Sequence, residues 1–244
     1  MNYQYRVTFK VLLMLAVTLI GIPAYFIMGG SIQMALVFTL YGIITNALGQ
    51  IAYHRWLAHD QFVPNIIARY AMIFGTIVCG NGNHIHNVYA HLNHHKYADT
   101  DKDTHNPNEL GFLKMWLGWY KTPSDYISMR RILQKRDVVF ASKNYWKLYA
   151  IISLVHFLIT PWLVVWQAFN FTHMWLGLNY LNYAGHSHGD GTGPSKITGF
   201  LNHWMMGEGN HDVHHRSVTK LDMSEPGNID WAGRYLIPMV LAKR

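Results

Sequence analysis

The sequence has little charge and almost no cysteine. Asp, Glu, Lys and Arg make up 14% of its 244 residues, against about 25% in an average soluble domain. The single cysteine, Cys79, excludes a disulfide framework and argues against a thiolate metal site. There are only three glutamates, Glu109, Glu208 and Glu225. That scarcity excludes a ferritin-like bundle, whose metal site is built on Glu-x-x-His pairs.

Charge is missing altogether from two long apolar runs. Residues 11–54 and 148–189 contain no Asp, Glu, Lys or Arg over 44 and 42 positions. A membrane span takes about 20 residues, so each run predicts two spans joined by a tight turn. Buried hairpins of a soluble protein are the alternative, which the length of the runs disfavours. The predicted spans are roughly 11–28, 32–53, 148–166 and 171–186, with turns at 29–31 and 167–172.

The basic residues are confined to three segments. The net charge is +7, and all 20 Lys and Arg lie at Arg6 and Lys10, within 55–147, or after Gly189. Nucleic acid is the usual partner of a basic chain, but neither predicted turn carries a positive charge. The distribution fits the rule that basic loops stay in the cytoplasm. We therefore predict no nucleic-acid partner, cytoplasmic termini, and one all-α domain, 1–244, whose cytoplasmic cap comprises 55–147 and 187–244.

Two segments of the cap have helical patterns of their own. Ile66 to Cys79 is apolar but short and contains Arg69, which favours a buried or interfacial helix over a span. Ser124 to Trp146 mixes apolar residues with four cations: Arg130, Arg131, Lys135 and Arg136. This pattern predicts a basic amphipathic helix on the membrane surface.

Sixteen histidines are present, and most of them recur at helical spacings. HLNHH and HDVHH are two copies of H-x2-HH, and NYAGH pairs Asn182 with His186. Positions i, i+3 and i+4 share one face of a helix, so each motif directs its side chains to one point. HRWLAH places His54 and His59 about 140° apart on a regular helix, so we expect the backbone to change course there.

The histidine set predicts a metal centre at the cytoplasmic face. Imidazole suits Fe, Zn, Cu and Ni, and nine imidazoles exceed the needs of one ion, so two ions are implied. An even number of spans separates the motifs, which lets them all face the cytoplasm. The nine candidate ligands are His54, His59, His91, His94, His95, His186, His211, His214 and His215.

The remaining polar residues have less certain roles. Four acidic residues near the motifs are candidates either to orient ligands or to cap helices and bind lysines: Asp99, Asp103, Glu208 and Asp212. His84, His86, His105 and His188 are candidates for the same orienting role or for surface positions. His156 and His173 fall inside predicted spans, where bonds across helices are expected, and His203 is expected to be structural.

These motifs together resemble the membrane fatty acid desaturases, and within them the delta-9 acyl-CoA desaturase branch. HRWLAH is similar to the first histidine box of that branch. HLNHHKYADTDKDTH, followed by Gly111 and Phe112, is similar to the second box and the residues that trail it. GEGNHDVHH is similar to the third box, with Asn182 to His186 matching the other ligands.

The resemblance implies four spans, a mushroom-like cytoplasmic cap and a kinked tunnel for the acyl chain. It implies two iron ions on the nine histidines, with Asn182 acting through a bound water. Zinc is a further occupant to expect in purified material, since divalent nitrogen sites prefer it to iron. The carrier stays open among acyl-CoA, acyl carrier protein and acyl lipid. Electrons would come from an external donor of the ferredoxin or cytochrome b5 type.

The expected reaction is O2-dependent desaturation of a fatty acyl chain. A methylene C–H bond has no useful acidity, so a redox cofactor must do the difficult step while the protein orients and shields it. Hydroxylation or acetylene formation on the same scaffold is the nearest alternative. A non-catalytic membrane protein that binds or transports zinc is an alternative of another class, but transport would need polar residues through the centres of the spans.

Overall fold

The computed structural model describes residues 3–4, 8–121, 127–186 and 194–242, and within them the fold is mostly helical. A small antiparallel pair, β1 (Tyr3–Gln4) and β2 (Tyr120–Lys121), is an addition to the all-helical prediction. In chain order the α-helices are α1 (Thr8–Ile27), α2 (Ile32–Gln50), α3 (Ile66–Val78), α4 (His84–Tyr97), α5 (Pro107–Trp116, interrupted at Gly111), α6 (Arg130–Leu133), α7 (Arg136–Lys143), α8 (Tyr145–Ile159), α9 (Pro161–His186), α10 (Phe200–Trp204), α11 (His211–Arg216) and α12 (Ile237–Val240). Two π-helical segments, Ile51–Ala58 and Ala232–Leu236, follow α2 and precede α12.

The first predicted hairpin is present, and its turn lies where the glycines predicted it. Gly29 adopts a positive φ of 84°, which glycine tolerates best. Ser31 caps α2 by accepting a hydrogen bond from the backbone N–H of Met34. A Cβ at Gly30 would lie 2.3 Å from the ring of Tyr25. The turn is therefore fixed by glycine on one side and by a helix cap on the other.

Helix α3 is short and packs closely on α2. Its 13 residues extend about 20 Å and include the partly exposed cation Arg69, which agrees with the predicted buried or interfacial helix. A Cβ at Gly75 would approach the carbonyl oxygen of Thr45 to 2.8 Å, and one at Gly49 would lie 2.6 Å from Cys79 Sγ. Small residues at these crossings let the two backbones come together, as at membrane helix interfaces.

The turn of the second hairpin lies at Thr160, so the predicted turn at 167–172 is wrong. Thr160 is extended (φ −163°, ψ 137°), as expected before a proline, and Pro161 starts α9. Residues 167–172 lie inside α9. Their polar side chains suggested a loop, but Gln167 is buried and its Oε1 lies 3.0 Å from Nδ1 of His156 on α8.

The basic segment forms two short helices instead of the predicted single amphipathic one. Ser124 to Tyr126 lie outside the described residues. The helical conformation is interrupted at Lys135, between α6 and α7. Ile132 and Val138 are both buried in the core. Six positions separate them, which places them about 120° apart on one continuous helix. The break allows both side chains to face the core.

Helix α9 lies at the centre of the fold and contacts α1, α2, α5 and α8. Within the described residues, two helices are long and apolar enough to cross a bilayer, namely Thr8–Ile27 and Ile32–Ala58. Apolar helices α3 and α8 are shorter, whereas α9 is longer but carries buried polar residues. Large apolar side chains are exposed on α1, α2 and α8, for example Ile20 at 71% and Leu158 at 74%. Exposure of this extent indicates contact with a membrane.

Candidate metal centre

The π-helical segment Ile51–Ala58 continues α2 and carries the first histidine motif. A π-helix bonds residue i to i+5, and here the N–H of His59 donates to the carbonyl oxygen of His54 at 3.2 Å. The H-x4-H spacing would separate the two rings on an α-helix. On this wider helix it brings their centroids to 5.1 Å. The change in backbone direction expected from the sequence is therefore a change from α-helix to π-helix.

The other ligand candidates lie on three α-helices. Helix α4 carries the first H-x2-HH motif in its last two turns, α11 begins with the second, and α9 ends at His186. The nine histidines converge in two groups, within each of which the ligand atoms all lie within 4.8 Å of one another. The larger group is His54, His59, His91, His95 and His214, and the smaller is His94, His186, His211 and His215.

The larger group is a chain of facing nitrogens. The Nε2 atom of His214 lies 2.8 Å from that of His54 and 2.9 Å from that of His95. Nε2 of His91 in turn lies 3.1 Å from that of His95 and 2.8 Å from that of His59. Five ring nitrogens therefore point at one small volume, which is the donor arrangement that a bound cation requires.

In the smaller group, Nε2 of His186 lies 3.1 Å from that of His94 and 2.8 Å from that of His211. The Nε2 atom of His215 is buried and has no hydrogen-bond partner. An orphaned buried nitrogen is costly unless something occupies its lone pair. Asn182, the expected water-mediated ligand, is half-buried on α9 one turn before His186.

Carboxylates fix which nitrogen of three histidines carries the proton. Both oxygens of Asp103 lie within 3.0 Å of Nδ1 of His94, and Oδ2 of Asp99 lies 3.1 Å from Nδ1 of His186. Each Nδ1–H therefore donates to a carboxylate and leaves Nε2 as a bare lone pair. Two such lone pairs, on His94 and His186, face each other at 3.1 Å. They repel unless a cation lies between them, so the residues present fit metal ions.

A third carboxylate, that of Glu208, contacts a histidine of the larger group. The fourth acidic candidate, Asp212, contacts no histidine of either group. Oε2 of Glu208 lies 2.8 Å from Nδ1 of His54, and both side chains are buried. Asp212 instead forms an ion pair with Arg216 at 3.2 Å, one turn along α11. Three of the four acidic candidates thus contact a histidine of the centre. Asp212 instead binds a cation on its own helix and does not contact a candidate ligand.

Burial lowers the pKa values of several of these histidines and keeps those rings neutral. It lowers the pKa of His59 to about 3, with help from the nearby His54. Burial, and then the neighbouring histidines, lower the pKa values of His91, His211 and His214 well below the usual range. Neutral imidazole is the form that binds a metal ion, so the set is ready to bind at neutral pH.

The carboxylates of the centre stay ionised. Burial opposes ionisation of Asp103, but the adjacent His94 more than offsets it and lowers the pKa of the carboxyl group. Glu208 has the same balance, with Arg55 as the main stabilising charge, and its pKa is also lowered. Negative charge at both positions favours the binding of cations.

Sequence reasoning missed two residues behind Glu208. The guanidinium of Arg55 donates from Nε to Oε1 of Glu208 at 2.8 Å and binds both oxygens of Asp230. None of the three side chains is more than 2% exposed. Arg55 follows the first ligand directly, and that adjacency was the available signal. No sequence pattern pointed to Asp230, which is 175 positions away.

The remaining histidines of the cap differ in how close they lie to the metal centre. The ring of His105 stacks on His94 with centroids 4.2 Å apart. His84 is buried away from the centre and contacts Thr76. His86 is exposed on α4, and His188 lies outside the described residues.

The two histidines inside predicted spans bond across helices, as expected. His156 on α8 contacts Tyr41 on α2 at 2.9 Å and also Gln167 on α9. His173 on α9 accepts a hydrogen bond from the indole N–H of Trp204. Both residues therefore connect elements of the helical bundle.

A cavity of about 330 Å³ lies beside the centre. It runs between α2 and α9, where Ile43 and Leu181 are among the apolar lining residues, and it is closed by the segment that follows α10. Glu208 lines it at the end nearest the metal centre, while Asn46 and His173 are further polar members of the lining. The volume is at the lower end of the range for small-molecule sites.

Comparison with known proteins supports the assignment that the histidines suggest. The chain is 27% identical over 197 residues to Delta-9 desaturase-like 3 protein from Arabidopsis thaliana, covering 80% of this chain and 59% of the relative. It is 29% identical over 195 residues to sn-1 stearoyl-lipid 9-desaturase from Synechocystis sp., covering 73% and 59%. Icosanoyl-CoA 5-desaturase from Limnanthes douglasii is 27% identical over 194 residues, covering 73% and 54%.

The chain thus spans a little over half the length of these curated relatives. No family model matches it. The relatives agree with one another in being named desaturases, and the histidine motifs provide an independent resemblance to the same group. Curated desaturases at 27–29% identity over 73–80% of this chain therefore support a relation to the fatty acid desaturase family.

Proposed function

We propose that this protein is a membrane di-iron oxidoreductase that introduces a double bond into a fatty acyl chain. The observation that carries the proposal is the convergence of nine histidines in groups of five and four. Carboxylates orient three of these rings so that bare nitrogens face one another. Such a donor set has no purpose in a folded chain other than to bind cations.

The nine histidines would hold two iron ions, and Asn182 would contribute through a water molecule. When bound and reduced by two electrons, such a pair of ions activates O2 for removing hydrogen from adjacent methylene groups. No protein nucleophile is required. Asp103, Asp99 and Glu208 keep their histidines in the metal-binding tautomer, which fixes the position of each ligand nitrogen.

The cavity between α2 and α9 would hold the acyl chain. Its lining is mainly apolar, and Glu208 places one end of it next to His54. The cavity walls would exclude water and hold one pair of methylene groups near the centre. Positioning of this kind determines which bond reacts. This cavity takes the place of the kinked tunnel that the family resemblance implies.

We further propose that α1, α2, α8 and α9 cross the membrane and that the rest of the single domain forms a cytoplasmic cap. Lys and Arg occur only in the segments assigned to the cytoplasm and near the starts of α1 (Lys10) and α8 (Lys147). Helix α8 has 15 residues and α9 has 26, lengths of about 22 and 39 Å. The pair would cross as a hairpin of unequal arms, with its turn at Thr160.

Expression in a host of known lipid composition tests the proposal. Fatty acids from the membranes are analysed by mass spectrometry, and new unsaturated species are the expected result. His94→Ala and His214→Ala, one from each group, should abolish the product while the protein still inserts. His86→Ala on the exposed side of α4 is the matched control and should retain product. Wild-type product from either site variant would contradict the assignment.

The same experiment separates the alternatives. A hydroxylated or acetylenic product would identify the related oxidations on this scaffold. A protein that only binds or transports zinc would give no new fatty acid and would consume no O2. Polar residues such as Asn46 and Gln167 do lie within the helical bundle. In the described part of the chain, however, the only other group of three or more metal-binding side chains is His94, Asp103 and His105, which shares His94 with the centre.

A further inference from the structure

A second cavity lies next to the substrate cavity. It measures about 260 Å³ and is lined by His203, Met206, Trp231, Tyr235 and Leu236. His203 and Met206 also line the larger cavity. The two spaces are therefore neighbours that share part of one wall. The outer cavity is lined by residues of the C-terminal π-helical segment Ala232–Leu236 and by Trp231, which precedes it.

Aromatic residues line this outer cavity. The indole N–H of Trp231 donates to Nδ1 of His203 at 2.7 Å, and its ring lies 5.5 Å from that of Tyr235. Trp231 is 37% and Tyr235 48% exposed. Tryptophan and tyrosine that are partly exposed in this way are typical of the membrane–water interface.

The aromatic mouth is continuous with an exposed apolar belt. Backbone hydrogen bonds join the end of α12 to the start of α3, from Asn65 N–H to the Val240 oxygen at 2.8 Å and from Ala242 N–H to the Val63 oxygen at 2.9 Å. Large apolar side chains on both segments are exposed. The belt comprises Val63, Ile66, Ile67, Tyr235, Met239 and Leu241. A contiguous apolar surface on the cap indicates contact with the membrane surface.

The described lining of the two cavities lacks the positive charge that would bind the phosphate groups of a soluble acyl carrier. Among the described residues, those that line the two cavities include no Lys or Arg. Arg234, between Trp231 and Tyr235 in the chain, forms an ion pair with Asp222 at 2.9 Å. Coenzyme A and the phosphopantetheine of acyl carrier protein both carry phosphate, which proteins bind mainly with Arg and Lys. The carboxylate of Glu208 on the inner wall would repel such anions.

We propose that the acyl chain enters from the bilayer through the Trp231–Tyr235 mouth while it is still esterified to a membrane glycerolipid. The inference rests on the proposed function and selects one of the carriers that the sequence left open. The headgroup stays at the interface beside the aromatic residues, and only the chain passes His203 to reach the centre. Sn-1 stearoyl-lipid 9-desaturase, one of the relatives, is named for a substrate of this class.

A carrier competition tests the inference directly. The purified iron-loaded protein is reconstituted in nanodiscs with a reduced external donor. Isotope-labelled stearoyl and palmitoyl chains are supplied as a neutral diacyl glycolipid in the disc, as acyl-CoA, or as acyl carrier protein thioester. We expect labelled double bonds only in the lipid. Product from a thioester at an equal or higher rate overturns the inference, and the proposed function stands. No product from any carrier overturns the proposed function, and the inference fails with it.

Two variants of α10 test the mouth. His203→Trp adds bulk to the wall shared by the two cavities and removes the contact with Trp231. It should lower lipid desaturation about tenfold, because a displaced chain loses its reactive geometry. Phe200→Trp is the control, on the same short helix and 77% exposed, and should change the rate less than about twofold. Equal effects of the two variants overturn the assignment of the mouth.

Spin labels give a result that does not depend on turnover. Tyr235→Cys and Lys220→Cys are labelled separately in nanodiscs, and the buried Cys79 should not react. The label at position 235 should be accessible to O2 and protected from a water-soluble nickel complex, while the label at 220 should show the reverse. A label at 235 that is fully accessible to nickel overturns the proposed membrane position of the mouth.

Discussion

Arg55 and Asp230 form a buried two-point ion pair, although 175 positions separate them in the chain. Nη1 of Arg55 lies 2.8 Å from Oδ2 of Asp230, and Nη2 lies 3.0 Å from Oδ1. The same guanidinium binds Glu208, whose other oxygen lies beside His54. The C-terminal segment is thus linked to a candidate metal ligand through three charged side chains, so a change at Asp230 should affect the centre without touching it.

Asp230→Asn should destabilise the protein and loosen the histidines around His54. Removing one partner of a buried ion pair costs about 3–5 kcal/mol, because the other charge is left uncompensated. Thermal unfolding in detergent measures the loss, and elemental analysis should show less metal per chain. Asp222→Asn is the matched control. Its pair with Arg234 is more than a third exposed on both sides, where such pairs are worth about 0–1 kcal/mol. Equal effects of the two variants would contradict the linkage.

Asp103→Asn should weaken metal binding by about 10–100-fold, the usual effect of losing a group that orients a ligand. The amide no longer selects the tautomer that leaves Nε2 of His94 free to bind. A chelator competition followed by elemental analysis gives the affinity. Asp212→Asn is the control, since Asp212 contacts Arg216 on the surface of α11, and it should bind metal like wild type. If both variants bind equally well, Asp103 does not orient the ligand.

His84 should make the protein less stable in acid. Burial lowers its pKa to about 4, whereas an unfolded histidine titrates near 6.5. Below about pH 6.5 the His84 side chain binds a proton in the unfolded chain but stays neutral in the folded protein. The free energy of unfolding therefore decreases as the pH drops from 7. The loss attributable to this residue is about 2 kcal/mol at pH 5.

The matched variant for this prediction is His84→Gln, which retains a polar side chain that does not titrate. Unfolding is measured at pH 7, 6 and 5 for both proteins. The variant is expected to be less stable at pH 7, because it loses the 2.6 Å contact with Thr76. Its disadvantage should shrink as the pH falls. A constant difference across this range would show that His84 does not contribute to the acid sensitivity.

The histidine motifs were predictable from sequence because their geometry is local. His91, His94 and His95 share a face on any α-helix, so their spacing alone indicates a common target. For the segment around His54, the sequence predicted only that the backbone changes direction. That the segment is a π-helix could not be predicted, since the type of helix depends on the packing of the whole segment. Arg55 and Asp230 could not be paired from sequence, because no local rule joins residues that meet only after folding.

The turn of the second hairpin illustrates a different limit. Polar residues around Gln167 suggested a loop, yet they lie inside α9 and bond to neighbouring helices. Hydropathy cannot distinguish a polar residue exposed at a turn from one that is satisfied inside a bundle. Pro161 was the better signal, since proline is favoured in the first turn of a helix and restricts the residue before it.

The corrected turn gives a topology prediction. In intact cells, cysteine placed at Gly29 or Thr160 should react with a maleimide that does not cross membranes, because the proposed topology places both hairpin turns outside the cell. Gln167→Cys should not react, since Gln167 is buried between α8 and α9. Labelling at 167 without labelling at 160 would restore the turn expected from sequence. Labelling of a cysteine added at the C-terminus would contradict cytoplasmic termini.

The basic surface formed by α6 and the first residue of α7 should be the docking site of the external electron donor. Arg130, Arg131 and Arg136 are exposed, whereas Lys135 is engaged by Asp60 at 2.9 Å. A groove beside Arg130 reaches Tyr89, which lies on α4 two positions before the first ligand of that helix. Small redox proteins are commonly acidic, and complementary charge speeds their encounter. Binding of anionic lipid headgroups, at about 1 kcal/mol per cation, is the competing role.

Charge reversal separates these two roles. Arg130→Glu with Arg131→Glu should lower turnover with a soluble acidic donor at low ionic strength, and the deficit should shrink as salt screens the charges. Lys143→Glu with Lys147→Glu is the control, with the same change of charge at exposed positions beyond α6. Metal content should stay constant in both double variants. If the two lower turnover equally, or if neither does, the donor does not dock on α6 and the arginines are left with the lipid role.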